Sequence, residues 1–441
     1  MGLWAKAQTM AAKAPPDRNR YVDFLRAFSI LAVVIGHWLV AAPYMQDGAV
    51  TGGHLLGIVP WTQWLTWGFQ VMPIFFLVGG FSNAASWSAT LRSGGAYSGW
   101  FTARLQRLVG PVLPLFLLWT LFALFGTALG VERSIVAMAA QLALIPVWFL
   151  AVYLLVTALV PFTYAAWQRL GLASFWLLVA AAIAVDVLTL RFNVPHINFI
   201  NFAFIWLAVH QLGYAWNDGH FASPAKALVW GIGGLTALGL LVGFGPYPVA
   251  MIGVPGEPLS NSMPPTIALL ALGIAQTGLA LALQGPARRI LDNITTWSAV
   301  VLVNGMIMTV YLWHLTAFVL VMVAAWLLGG IGLDVTPGSA TWWAARPIWF
   351  ALYIAALLPL LLLFVRYENP PASKQPRAAI PHWRIITALV LMCVGLGATA
   401  AISIASPMGI TGVRLWLVAL PFIGAALAGF GPFARLIPRR G

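Results

Sequence analysis

Residues 22–40 read VDFLRAFSILAVVIGHWLV. A helix rises about 1.5 Å per residue, so a run of this length crosses most of a ~30 Å hydrocarbon core. Most of the stretch is as apolar as such a crossing requires, yet it carries Asp23, Arg26 and His37. From Arg26 to His37 the helix advances roughly 16 Å and about three full turns, so the two share a face with Asp23 close beside it. A charged or imidazole side chain at that depth costs a few kcal/mol unless it meets a partner or a polar cavity. Two readings follow. Either the helix lines a polar interior, or Asp23 and Arg26 snorkel as a pair while His37 makes one ordinary hydrogen bond. His37 lies too deep to snorkel, which favours the polar interior.

The rest of the chain places this helix in a membrane. Apolar residues make up 61% and charged residues 7% of the sequence, against about 45–50% and 25% in soluble domains. Continuous apolar runs recur near 21–43, 69–91, 109–130, 146–166, 172–191, 197–216, 224–245, 265–284, 297–328, 341–366, 384–405 and 413–433. These predict an all-α polytopic protein of about twelve transmembrane helices. A β-barrel would alternate instead. The excess of 23 Lys and Arg over 10 Asp and Glu would point a soluble protein toward nucleic acid. Here the cations concentrate in the short loops of one side, including Arg92, Arg104, Arg107, Arg169, Lys226, Arg288 and Arg289, which puts both termini in the cytoplasm. The single cysteine, Cys393, rules out an internal disulfide and a cysteine-based metal site. The leader 1–20 is basic, and the span after it is too long for a signal-peptide core, so it reads as retained. The Pro-rich stretch 367–383 reads as a cytoplasmic linker between a 21–366 core and a terminal helix pair at 384–433, with a basic tail at 434–441. No loop is long enough to hold a folded domain, so any chemistry belongs to the helices.

Further polar residues mark candidate positions. In NGMIMTVYLWHLTAF, residues 304–318, Asn304, Tyr311 and His314 fall on one side of a helix and read either as a second site or as interhelical hydrogen bonds. Arg104 and Arg107, at i,i+3 in FTARLQRLVGP, suit a phosphate or pyrophosphate, or simply anchor the helix on the inside. His196 and Asn201 lie near one end of the sixth run, where they could touch an acceptor, although helix–helix bonding explains them better. Gly79 and Gly80 in MPIFFLVGGFSNA permit close helix approach.

Together the stretches VDFLRAFSILAVVIGHW, FFLVGGF, FTARLQRLVGP, PVWFLAVYLLV and MTVYLWHL resemble, in order, those of the integral-membrane acyltransferase family 3. The resemblance implies a ten-helix core with a pore, plus terminal helices. It implies that His37 is catalytic with Arg26 required, and that Arg104 and Arg107 serve the acyl-CoA donor. The expected reaction moves a short acyl group, acetyl foremost, from cytoplasmic acyl-CoA to a hydroxyl of a cell-envelope glycan or glycolipid, across the inner membrane of a bacterium. Trehalose mycolates are among the acceptors considered, on the Arg-, Ala- and Gly-rich composition. His314 and Tyr311 would orient the acceptor or stabilise the oxyanion, and Asp23, Asn304, His196 and Asn201 would line the substrate path. No metal and no nucleic acid is expected. The sequence departs from the family at Gly79, where Ser is common, and at Tyr153, where one branch carries Glu. The competing class is a proton-coupled exporter of a lipid or glycan, but the internal repeats usual in transporters are not evident.

The orientation is open to a labelling test. In a Cys393→Ser background, Thr51→Cys and Ser260→Cys should react with a membrane-impermeant thiol reagent added to intact cells, and Ser93→Cys should not. The reverse pattern would put Arg104 and Arg107 on the side away from acyl-CoA.

Overall fold

The computed structural model describes residues 2–15, 18–46, 48–368, 380–406 and 412–436. Its first elements are α1 (Leu3–Ala12), α2 (Arg20–Val40), the hairpin β1 (Tyr44–Gln46) and β2 (Ala49–Thr51), then α3 (Leu55–Ile58), α4 (Thr66–Phe69) and α5 (Met72–Arg92). Next come α6 (Tyr97–Val109), α7 (Val112–Ala128), α8 (Arg133–Leu144), α9 (Val147–Ala158), α10 (Val160–Leu170), α11 (Leu172–Leu190), α12 (Asn201–Asn217) and α13 (Pro224–Phe244). The last are α14 (Ile267–Ala282), α15 (Gln284–Leu291), α16 (Ile294–Asn304), α17 (Ile307–Leu327), α18 (Ala340–Glu368), α19 (His382–Ile402) and α20 (Leu415–Leu427).

The fold is all-helical. Among the described residues, 9 helices are long and apolar enough to span a membrane, or 10 when α14 and α15, bent by 54°, count as one. Nine of the twelve expected spans correspond to these, while the run at 146–166 is divided between α9 and α10 and the spanning stretch there is Arg133–Ala158. The run at 197–216 yields a helical turn, Ile197–Ile200, that leads directly into α12, and this segment is not among the helices long and apolar enough to count as a span. It is buried without a break from Ile205 to Trp216. The run at 413–433 yields α20, of 13 residues, ended by the left-handed glycines Gly429 and Gly431. The expected single span at 297–328 is two helices, α16 and α17, separated at Gly305 and Met306. Asn304 is therefore not a helix-mate of Tyr311 and His314. Of the expected linker, 369–379 lies outside the described residues, as does 437–441 of the expected tail.

The chain forms two compact units. The first comprises Met1–Tyr44, Thr51–Ser88 and Leu159–Ile307. In it α2 starts at Asn19, whose side chain accepts from the Val22 amide at 3.4 Å, supplying one of the orphan donors of a helix start. Tyr21 donates to the Ala280 carbonyl at 2.5 Å. Helices α5 and α12 meet backbone to backbone at Gly80 and Gly213, where an added Cβ would run into the carbonyls of His210 and Leu77. Phe76 stacks on Trp206 beside that crossing, at 4.4 Å between ring centres. Helices α13 and α14 cross the same way through Gly231, Gly234 and Gly278, the small-residue packing that replaces hydrophobic drive between helices in lipid. The 245–266 loop is tied to α4, since Trp67 donates to the Val249 carbonyl at 2.9 Å and the Met251 amide to Thr66 Oγ1 at 2.9 Å.

The second unit comprises Met45–Val50, Ala89–Ala158 and Met308–Gly441. Its central helix is α17, 72% of whose most apolar window is buried, against 17% for α18. Trp313 stacks on Phe364 at 3.8 Å, and Trp119 donates to Thr316 Oγ1 at 3.0 Å. The terminal pair packs tightly on itself, Gly395 lying against Leu420 and Pro421.

Candidate active site

In the first unit the polar stripe of α2 is assembled around one carboxylate. Asp23 is buried and holds two guanidinium groups, Arg18 at 2.6 Å and Arg26 at 3.1 Å. Arg26 is also fixed from α5, with Nη2 donating to Ser82 Oγ at 3.1 Å. Asn304, at the end of α16, donates through Nδ2 to the Asp23 carbonyl and to the Val300 carbonyl, both at 2.9 Å. Asn304 therefore clamps the first turn of α2. His37 is half-buried and stands in the last turn of α2. The structure thus brings Asp23, Arg26 and Asn304 together, and leaves His37 some three turns further along the Arg26 face.

The second unit holds the other candidates. Arg104 lies flat on the Trp100 ring, 3.8 Å from its centre, and donates to the Trp100 carbonyl at 3.2 Å. Arg107, one turn on, is exposed, and its charge reaches the Glu368 carboxylate. Glu368 is buried and accepts from the Met308 and Thr309 amides at 3.1 and 3.0 Å and from Thr309 Oγ1 at 2.8 Å. A carboxylate on the orphan donors of a helix start satisfies them and meets the positive end of the helix dipole. Tyr311 and His314 follow directly on the helix it caps. The Tyr311 hydroxyl donates to the Pro146 carbonyl at 2.7 Å. His314 Nδ1 lies 2.7 Å from the Tyr311 carbonyl. A carbonyl only accepts, so Nδ1 carries a proton.

Asn201 is placed differently from the expected acceptor contact. It is buried and donates to Asp186 Oδ1 at 2.7 Å, while Asp186 Oδ2 accepts from the Tyr247 hydroxyl and the Ile267 amide, each at 2.9 Å. Burial, then the Asp186 carboxylate, pushes the Tyr247 hydroxyl pKa up, so it stays a donor. His196 is exposed in a left-handed turn.

Three contributors were missed in the sequence. Ser82 and Asn83 sit in GGFSNA, read only for its glycines; Asn83 Nδ2 lies 3.1 Å from Nε2 of the buried His210. Glu368 fell inside the stretch read as a linker, and an acid just past an apolar run was the signal available. No three His, Cys, Asp or Glu side chains cluster as metal ligands among the described residues.

A family profile described as an acyltransferase domain, of acyltransferase family 3, matches residues 19–366. No curated protein and no solved structure matches the chain.

Replacing Glu368 leaves two buried amides and a hydroxyl without their acceptor, a loss of about 1–3 kcal/mol for each unsatisfied group. Glu368→Ala should lower the melting temperature in detergent by several degrees, with Glu368→Gln in between. An alanine variant that melts like wild type would mean that the cap contributes nothing.

Proposed function

This chain belongs to acyltransferase family 3, and from that premise we propose that it moves a short acyl group, acetyl foremost, from acyl-CoA to a hydroxyl of a cell-envelope glycan or glycolipid. It is a multi-pass membrane acyltransferase; the donor, the acceptor and the inner membrane as its location are our reading. The observation that carries it is the α2 stripe, an arginine locked by Asp23 and Ser82 on the same helical face as His37.

In this reading His37 takes the proton of the acceptor hydroxyl as that oxygen attacks the thioester carbonyl. The tetrahedral intermediate collapses with cleavage of the carbon–sulfur bond. The CoA thiolate leaves with the proton that His37 had taken, and the ester remains on the acceptor. Arg26, held rigid from two sides, presents a fixed positive charge to the donor. Arg104 and Arg107 hold its phosphates; stacking on Trp100 pre-orients the Arg104 fork and lowers the entropy lost on binding. His314 orients the acceptor through Nε2. Tyr311 acts as a positioning residue, since its proton is engaged with Pro146 and its carbonyl sets the His314 tautomer. Asp23 and Asn304 support Arg26, and His196 is offered to the acceptor's headgroup.

Purified protein supplied with acetyl-CoA and an envelope lipid extract should release CoA. His37→Ala should lower that rate by about 10²–10⁴ with an unchanged elution profile. Near wild-type turnover in a folded His37→Ala protein would overturn the assignment.

Arg104→Ala and Arg107→Ala should raise KM for the donor more than they lower kcat, and Lys at either position should restore only part, because it lacks the planar fork. Unchanged donor KM in both alanine variants would reduce the pair to a signal for orientation.

A further inference from the structure

The first unit carries a groove of about 630 Å³ on its flank, between α11, α13 and α14, within the ~300–1,000 Å³ range of small-molecule sites. Its floor is the pair Trp176 and Trp230, 5.9 Å apart. Gly233 and Ala237 line its middle, and Leu241 and Ile267 its other end. It exists because α13 has no bulk where it runs between the two neighbours.

Three observations identify an occupant. The groove opens on α13, of whose apolar spanning window only 22% is buried, so it is continuous with the lipid-facing surface. Its length along α13 from Trp230 to Leu241 is roughly 16 Å, close to one leaflet's half of a ~30 Å hydrocarbon core. One end is closed by tryptophans. The other, at Leu241 and Ile267, borders the 245–266 loop, which the buried Asp186 ties down through Tyr247 and the Ile267 amide. From Tyr247 the 245–266 loop runs to Thr66 and Trp67, in the segment packed against α2. The loop that follows His37 at the end of α2 bridges back through Ala41 and His54 to the same region. The loop end of the groove and the His37 end of α2 therefore lie on the same side of the membrane.

We propose that this groove seats the alkyl chain of a lipid-linked acceptor, with the headgroup resting over the 245–266 loop on the side of His37. The proposal rests on the acyltransferase reading and narrows its acceptor class to lipid-anchored hydroxyl compounds. One chain of one leaflet fills the groove, and the buried chain fixes how far the headgroup stands from the membrane surface.

The structure supplies a clean perturbation. A Cβ at Gly233 meets nothing within 4 Å, whereas one at the adjacent Gly234 runs into the Ala275 backbone of α14. Gly233→Phe should fill the groove and leave the fold intact; Gly234→Phe is the control that breaks the helix pair. Two readouts test the idea. The first is photocrosslinking with an alkyl maltoside carrying a terminal diazirine, mapped by mass spectrometry. Wild type should be labelled at the groove residues near Trp176 and Trp230, and Gly233→Phe should lose that labelling. Labelling spread evenly over lipid-facing helices such as α18, or unchanged in Gly233→Phe, would show annular lipid only and overturn the proposal. The second is acyl transfer with a glycolipid acceptor and with its deacylated headgroup. Gly233→Phe should raise KM for the glycolipid about tenfold or more and leave the headgroup's KM and the donor's KM unchanged. Equal effects on both acceptors, or none, would also overturn it. If wild type releases no CoA with either acceptor, the acyltransferase reading fails, while the crosslinking still decides whether the groove holds a chain.

Discussion

A guanidinium placed in a membrane-spanning helix needs its charge answered within the protein, and for Arg26 the answer is Asp23. That carboxylate takes Arg18 on one oxygen and Arg26 on the other, while its backbone carbonyl takes the Asn304 amide. The start of α2, the end of α16 and the Ser82 turn of α5 are thereby tied to one residue. Remove the carboxylate and two cations lose their common partner, which in a low-dielectric setting is costlier than the pair was ever worth. Everything assigned to the α2 face depends on that arginine staying where it is.

The chain has 10 acidic residues, and among the described residues three are buried, each satisfied differently. Asp23 is ion-paired. Asp186 is met by neutral donors from a side-chain amide, a phenol and a backbone amide. Glu368 meets the open start of a helix. These are the available ways of keeping a carboxylate out of water, and each fastens a different junction: a helix start, a loop to a helix pair, and the two ends of neighbouring helices. Acids are scarce here because each must be answered in this way.

The α2 stripe was legible in the sequence because one period, 3.6 residues, decides which side chains share a face. Nine of the spans were legible from length alone. The break between α16 and α17 was not, since a run such as VLVNGMIM carries no proline and its apolarity is continuous. Asn304 ends its helix through a partner hundreds of residues away, which no local pattern records. For Asn201 the helix–helix bond was the favoured reading, but its partner, Asp186, could not be named because polarity near a membrane surface is ambiguous until the neighbouring helix is placed. Glu368 was hidden by a composition that looks like linker. The groove could not be read at all, because it depends on which residues of α11 and α14 flank Gly233 and Ala237 of α13.

Gly233 and Gly234 are neighbours in sequence and opposites in tolerance. Gly234 is held to its size by the backbone of α14, as are Gly231 and Gly278 along the same seam, so that seam admits no side chain without parting the helices. Gly233 faces empty space. A molecular ruler can therefore be reset at that one position: a larger residue there shortens the slot by a graded amount while the helices that frame it stay where they are.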